Sequence, residues 1–239
     1  MDAEANTFTF FVEIFFESGF KVSGVILSSE YILTYNFNSF PSKVAYGIQP
    51  GQSIDDPLEN FNLVNPIQLY NVSSNGRLRI LKVEPIPLGT VANAISFTNC
   101  SGPSKVNVGD SVAYFGLGVY EDSVNNFDYA NTMKTKCAEV IEFTAKCSGA
   151  VSLLGNVICT TTDGCNRDWG APLVIYSDGT PYLVGIMSYV KSTGCGREFT
   201  FSSTNHIPLT HFQISEPDTM PQSSVCENFD AIDAIINAS

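Results

Sequence analysis

The sequence predicts an all-β protein that ends in one α-helix. Its hydrophobic residues fall in runs of about four to eight that are rich in Val, Ile, Phe and Tyr, and Gly, Pro, Asn and Asp divide these runs. Of the 239 residues, 44% are hydrophobic and 15% are charged, which supplies a sizeable core. With 17 Phe and 10 Tyr, the chain does not have the composition of a disordered protein. We therefore expect one ordered protein built from short strands.

The predicted strands follow one another along most of the chain. Turn-forming residues separate them, and β-branched or aromatic side chains dominate most of them. They cover residues 10–16, 24–27, 31–34, 43–48, 78–83, 111–115, 156–160, 173–176 and 182–189. Between residues 98 and 107 the composition turns to Ser, Gly, Pro, Asn and Lys, which predicts a connection between two sets of strands.

The C-terminal tail carries a helical pattern. Ser224 and Glu227 have the spacing of a capping box, in which each side chain bonds to a backbone N–H at the start of a helix. Four apolar residues then fall on one helical face: Phe229, Ile232, Ile235 and Ile236. The predicted organisation is two β units, 1–101 and 102–222, and a helical end at 223–239, all within one structural unit.

The charge balance argues against two classes of partner. The chain has 24 acidic and 12 basic residues, a net charge of −12, and no cluster of Lys and Arg. Phosphate backbones and anionic lipids both require a basic surface. No charge-free apolar run approaches the roughly 20 residues of a membrane span. We expect no nucleic-acid binding and no membrane insertion, whereas the acidic excess would favour a basic protein partner.

Cysteine and asparagine patterns bear on the compartment. Seven cysteines are an odd number, which leaves open either mixed usage or a disulfide framework with one free thiol. Three Asn-x-Ser triplets are candidate glycosylation acceptors and favour a secreted glycoprotein: Asn71, Asn99 and Asn237. Near the start, Glu13 and Glu17 interrupt the apolar segment and no basic residue precedes it, so we expect no signal peptide there.

Residues for conventional catalysis are scarce. The only histidines are His206 and His211, whose spacing places them on neither one helical face nor one strand face. The chain has no G-x-G-x-x-G, no G-x-x-x-x-G-K-[ST], no G-x-S-x-G and no H-E-x-x-H. We therefore expect no metal site and no cofactor.

Several stretches carry a resemblance to a known family. Residues 165–174 read Cys-Asn-Arg-Asp-Trp-Gly-Ala-Pro-Leu-Val, which is similar to the nucleophile motif C-x-G-D-S-G-G-P-L-V of trypsin-like serine proteases. Residues 183–189 and 194–196 resemble L-V-G-I-x-S-W and G-C-G, residues 31–38 resemble W-V-L-T-A-A-H-C, and residues 225–229 resemble V-C-N-Y. The resemblance implies two six-stranded antiparallel Greek-key β-barrels packed together, with a C-terminal α-helix.

The same resemblance implies that the catalytic residues are lost. Trp169 stands where the family has the serine nucleophile, Phe37 where it has the histidine base, and Arg77 where it has the buried aspartate. Arg167 replaces a glycine whose N–H helps to bind the oxyanion. Neither an indole nor a phenyl ring attacks a carbonyl or carries a proton at neutral pH. The implied protein is a catalytically inactive homologue, a pseudoprotease, and not an enzyme.

A disulfide pattern is also implied by the resemblance. The family pairs correspond to Cys100–Cys226, Cys147–Cys159 and Cys165–Cys195. Cys137 would then be a free thiol. Such bridges persist in oxidising compartments, so we expect a secreted, extracellular protein.

The resemblance further implies a remnant of the specificity pocket. Asp163 matches the aspartate that gives trypsins their preference for Lys and Arg, and Val190 replaces a wall glycine and would narrow the entrance. We expect Asp163 to be an ordinary turn residue before Gly164; the alternative is that it binds a Lys or Arg side chain in the remnant pocket. Asp168 matches the aspartate that pairs with the freed N-terminus in active relatives, but no I-V-G-G-like sequence occurs near the start, so it needs another partner. Loop 197–224 is longer than the family's usual return to the helix. An enlarged surface loop is the default interpretation, and a partner-binding loop is the alternative.

The leading functional prediction is a secreted non-catalytic serine protease homologue that binds a protease, an inhibitor or a surface receptor as a decoy, cofactor or regulator. One alternative is a storage, structural or small-ligand-binding protein on an inactivated protease scaffold. Another is an enzyme with relocated chemistry, in which Cys137 acts with His206 or His211.

Overall fold

The computed structural model describes residues 8–49, 52–72, 78–103, 105–116, 119–121, 127–129, 133–140, 157–160, 168–187 and 220–238. The first half of the chain forms β1 (Phe11–Phe15), β2 (Lys21–Ile26), β3 (Tyr31–Tyr35), β4 (Lys43–Tyr46), β5 (Asn62–Val64), β6 (Pro66–Asn71) and β7 (Leu78–Val83). They make one antiparallel sheet of seven strands in the order β5-β4-β1-β2-β3-β7-β6.

This sheet curls because its two edge strands are consecutive in the chain, with only Asn65 between β5 and β6. The backbone N–H and Nδ2–H of Asn65 donate to Oε2 of Glu84 at 3.1 and 2.9 Å, and its carbonyl accepts the N–H of Glu84. Lys43 Nζ donates to Oδ1 of Asn65. The side-chain hydrogen bond from Asn65, and then the backbone one, hold the pKa of Glu84 below its ordinary value.

The second half forms a second antiparallel sheet. Its strands are β8 (Ser111–Gly116), β11 (Lys134–Glu139), β12 (Val157–Thr160), β13 (Pro172–Ser177), β14 (Thr180–Ile186) and β15 (Met220–Ser224). The order is β11-β8-β13-β14-β15-β12, and an isolated antiparallel bridge between Val140 and Thr160 joins the two edges. Between β8 and β11, β9 (Val119–Glu121) pairs with β10 (Phe127–Tyr129) as a separate two-stranded sheet.

The two faces of the first sheet bury different cores. One face, which we call the inner face, covers a cluster whose buried members all come from residues 12–92. The opposite face packs against the second half, where Leu33 and Ile80 share a cluster with Phe115 and Leu183. The second sheet has its own inner cluster, with Val112, Ala138, Ile158, Leu173 and Val184 among its buried members.

The C-terminal helix α1 (Phe229–Asn237) packs on the cluster shared by the two halves. Ile232 is fully buried in it, and Ile235 and Ile236 pack against it, so three of the four residues of the predicted apolar face pack on this cluster. A disulfide joins Cys100 to Cys226 immediately before the helix, as the resemblance implied.

The predicted capping box is wrong. Ser224 is the last residue of β15, and a 3-10 helix over Cys226–Asn228 precedes α1 without a side-chain cap. Asn228 instead donates from Nδ2 to the carbonyl oxygen of Ser224 at 2.7 Å. The 3-10 turn therefore moves the helix start to Phe229, five residues beyond Ser224.

The prediction of a mostly β fold with one C-terminal helix is confirmed for the described residues. The predicted strands agree with observed ones to within a few residues, although the one at 43–48 ends at Tyr46. Six strands were not predicted: β5, β6, β9, β10, β11 and β15. The division at residues 101 and 222 stays a prediction. Within the described part of the chain, no helix has the length and apolar character needed to cross a membrane.

Candidate functional site

The tight turn at residues 168–171 joins the two sheets. Gly170 adopts a φ of +83°, and its N–H donates to the carbonyl oxygen of Met187 at 2.9 Å. On the other side, the N–H of Ser23 in β2 donates to the carbonyl oxygen of Trp169 at 2.7 Å. A Cβ on residue 170 would collide with the carbonyl oxygen of Ser23 and would come within 2.7 Å of Oγ1 of Thr34. The turn thus requires glycine both for its backbone angle and for its close approach to β2.

Trp169 projects from this turn into an aromatic group. Its ring lies 4.5 Å from the ring of Tyr35, at the end of β3, with the two planes inclined by 32°. Phe37 lies two residues beyond Tyr35, is 5% exposed, and meets Phe16 in an edge-to-face contact at 4.8 Å. Such offset and edge-to-face pairs are the favoured arrangements of aromatic rings.

Two of the predicted site residues pack on the same apolar cluster. Phe37 is a buried member of the inner cluster of the first sheet, and Trp169 packs against the same cluster, although 131 residues separate them in the chain. Trp169 also packs against the inner cluster of the second sheet. The indole ring therefore fills the junction between the two cores, and neither side chain can exchange a proton there at neutral pH.

Two buried carboxyl groups lie close to this junction. Asp168, which precedes Trp169, is 4% exposed and packs so closely on Gly116 that a Cβ there would collide with its Oδ1. Glu13 in β1 is fully buried opposite Ser23, whose hydroxyl lies 3.4 Å from Oε2 of Glu13. Both carboxyl groups have further polar interactions. They lie at the contact between the two sheets, and the hydroxyl group beside Glu13 is that of Ser23.

A polar row crosses the inner face of the first sheet, and only its member Asn71 was singled out from the sequence, as a glycosylation candidate. Thr34 in β3 is paired with Arg79 in β7, which is in turn paired with Asn71 in β6. Alternation along the strands places Arg79 on the same face as Leu81, a buried member of the inner cluster. The sequence carries only a weak signal for this row, because an arginine within a predicted strand usually faces solvent.

Several predicted residues lie outside the described part of the chain. They are Arg77, Arg167, Asp163, Val190, His206, His211, Cys147, Cys165, Cys195 and most of loop 197–224. Among the described residues, no group of three or more His, Cys, Asp or Glu side chains is arranged to hold a metal ion.

The remaining predicted residues are placed as follows. Cys137 is a free, exposed cysteine in β11. Cys159 is disulfide-bonded, and its implied partner lies outside the described residues. The three candidate glycosylation acceptors Asn71, Asn99 and Asn237 are all exposed.

A scan against protein-family models finds no match, and a search of curated proteins finds none either.

Proposed function

We propose that this chain is a secreted, catalytically inactive homologue of trypsin-like serine proteases that acts by binding another protein. The observation that carries the proposal is the aromatic packing of Trp169 and Phe37. The resemblance assigns these two positions to a nucleophile and a general base. The two residues do pack against one apolar cluster, yet they fill it with rings that have no acid–base chemistry at neutral pH.

The proposal includes a pair of closed six-stranded barrels. In the first half, β5 and β6 would count as one strand bent at Asn65, which reduces seven strands to six. In the second half, six strands are present and the Val140–Thr160 bridge joins their edges. The helix α1 and the Cys100–Cys226 disulfide agree with the same architecture.

A scaffold that keeps its fold after losing its chemistry can still present loops to a partner. The partner class we favour is a protease, a protease inhibitor or a surface receptor, for which the chain would serve as decoy, cofactor or regulator. The net charge of −12 favours a partner with a basic surface. Secretion is part of the proposal, and the Cys100–Cys226 and Cys159 disulfides support it because they persist in oxidising compartments.

The catalytic half of the proposal is tested by hydrolysis and labelling. Purified protein is assayed on casein and on a peptidyl ester, and is incubated with a fluorophosphonate that labels activated serines. We expect no turnover above buffer and no label. The matched variants Trp169→Ala and Cys137→Ala distinguish a contaminating protease from an activity of the chain itself, because turnover by a contaminant would be the same in both variants and in the wild type. Turnover that is present in the wild type and lost in Cys137→Ala would contradict the proposal and favour the relocated-chemistry alternative.

The binding half is tested by capture from the extracellular fluid of the source organism. The bait is the folded, oxidised protein, and the control bait is the same protein reduced, alkylated and unfolded. We expect one protease, inhibitor or receptor to be enriched by the folded bait alone and then to bind the purified protein directly. Enrichment of no protein would favour the storage, structural or small-ligand alternative.

A further inference from the structure

Arg79 occupies an unusual place for a charged side chain. It lies on the inner face of the first sheet, between Thr34 on one neighbouring strand and Asn71 on the other. Leu81, two residues further along the same face, is fully buried. Arg79 itself is half-buried, and its Nε atom is buried.

The guanidinium of Arg79 lacks a partner among the described residues. Its Nε is buried and has no hydrogen-bond acceptor. The ion pairs of the described chain, Lys21–Asp55 and Lys82–Glu30, do not include it. A guanidinium stays protonated in proteins, so a buried Nε–H without an acceptor destabilises the folded protein. A bound anion that accepts this hydrogen bond would remove the destabilisation.

A second unsatisfied group lies nearby. Asn36 is two residues beyond Thr34, the residue opposite Arg79, and its Oδ1 is buried without a hydrogen-bond donor. Thr34 does not supply that donor, because its hydroxyl proton is directed to the carbonyl oxygen of Ser23 at 2.7 Å. The strand register therefore places a charged donor in β7 and a neutral acceptor just beyond the end of β3, and neither atom has a hydrogen-bond partner.

We propose that Arg79 binds a carboxylate, and that Oδ1 of Asn36 accepts a hydrogen bond from an N–H or O–H of the same ligand. The planar guanidinium matches a carboxylate with two parallel hydrogen bonds. A single positive charge in a protein of net charge −12 favours a monoanion over a phosphate dianion. The carboxylate belongs either to a free organic acid or to the C-terminus of a polypeptide, whose last amide N–H lies next to its carboxylate.

This ligand would sit beside the turn at residues 168–171, because Gly170 approaches Thr34, the neighbour of Arg79 in the polar row. The inference rests on the unsatisfied donor and acceptor alone. It would hold even if the chain proved to have a different function from the one proposed above.

The test follows the arginine Nε–Hε signals by NMR. The chain has four arginines, so the signal of Arg79 can be resolved and assigned in the folded wild-type protein. Acetate and its neutral analogue acetamide are titrated at matched ionic strength, followed by N-acetylglycine and N-acetylglycinamide. We expect a saturable shift of the Arg79 signal with acetate and N-acetylglycine and none with the two amides. Equal shifts with acetate and acetamide, or no shift with any probe, would overturn the proposal.

Variants then assign the contacts. Arg79→Lys keeps the charge but loses the two-pronged geometry and should weaken acetate binding by about tenfold. Lys82→Gln removes one charge from the opposite face of the same strand and should leave binding within about twofold, because exposed charges are screened. Unchanged acetate binding in Arg79→Lys would contradict the assignment, and so would an equal weakening in Lys82→Gln. If a variant fails to fold, the titration of the wild-type protein still tests the proposal.

The two carboxylate sources are separated by N-acetylglycine, which adds an amide N–H to the carboxylate. Tighter binding of N-acetylglycine than of acetate, lost in Asn36→Ala, identifies a polypeptide C-terminus. Equal binding of the two acids, with the acetate response of Arg79 intact, would overturn the assignment of Asn36 and leave a free organic acid as the ligand of Arg79.

Discussion

The indole ring of Trp169 stacks on the phenol ring of Tyr35, with the ring centroids 4.5 Å apart. Tyr35 ends a strand of the first sheet, and Trp169 lies in the turn that leads into the second. The contact thus connects the two halves of the molecule at the point where their inner clusters approach each other. A side chain that joins two cores contributes to the stability of both.

Replacing Trp169 by Ala should lower the free energy of unfolding by about 2–3 kcal/mol. This loss is smaller than that for a tryptophan in the core, because the side chain of Trp169 is half-buried. Urea unfolding followed by far-ultraviolet circular dichroism measures the change. The control is Tyr176→Ala, an aromatic that is 45% exposed and should cost less than about 1 kcal/mol. Equal losses in both variants would mean that Trp169 does not join the cores.

Gly170→Ala should destabilise the protein by more than about 3 kcal/mol, because the new Cβ collides with the backbone of Ser23 and the residue has a φ of +83°. Gly179→Ala is the control that measures the cost of a side chain at positive φ without a collision. Gly179 has a similar φ of +77° but open space around it, so its substitution should cost only about 1–2 kcal/mol. Thermal unfolding of the two variants provides the comparison, and similar midpoints would contradict the close approach of the turn to β2.

Substitution by Val should change the free energy of unfolding differently at two fully buried threonines. The hydroxyl of Thr34 donates to the carbonyl oxygen of Ser23, so Thr34→Val should cost about 1–3 kcal/mol. Oγ1 of Thr160 has no hydrogen-bond partner in the described structure, so Thr160→Val should be neutral or stabilising within about 1 kcal/mol. Chemical denaturation measures both. A large loss in Thr160→Val would reveal a hydrogen bond at that hydroxyl.

The corner at Asn65 should make stability depend on pH. The pKa of Glu84 is lowered in the folded state from an ordinary 4.5, so its stabilising contribution is present above that value and is lost as the pH falls through the folded pKa. Glu84→Gln should therefore flatten the decline of the unfolding free energy in this acidic range. Asn65→Ala, which removes the largest cause of the shift, should raise the pKa of Glu84, as measured by carboxyl carbon NMR.

The control for this pH effect is Glu59→Gln. Glu59 is exposed and makes no hydrogen bond or ion pair within the described residues, so its neutralisation should leave the acidic decline unchanged. An equal flattening by Glu59→Gln would show that overall charge, and not the corner at Asn65, sets the pH dependence.

The strands that the sequence predicted well have apolar side chains that pack on both faces. β1, β2 and β3 are nearly all buried, because one face covers the inner cluster and the other packs on the second half. Those runs of β-branched and aromatic residues are recognisable without any partner. By contrast, β6 is half-exposed and begins with Pro66, and β15 has the composition Met-Pro-Gln-Ser-Ser. Their pairing depends on long-range neighbours that no local pattern records.

The candidate site was predictable to a similarly limited extent. Both aromatic positions, Trp169 and Phe37, were predicted from the resemblance of the sequence around them to the protease family. In the structure they pack on one cluster. Arg79 and Asn36 were not named, because their significance lies in partners that they lack. An unsatisfied group can be recognised only when its three-dimensional surroundings are known.

The disulfide from Cys100 to Cys226 encloses 125 residues, which include every strand of the second sheet. A single cut by a protease anywhere inside this covalent ring leaves the two fragments joined. The nicked protein would run as two pieces on a gel only after reduction, while the first sheet and α1 stay linked through the bridge. Cleavage of a surface loop inside this ring would thus leave the first sheet covalently attached to α1.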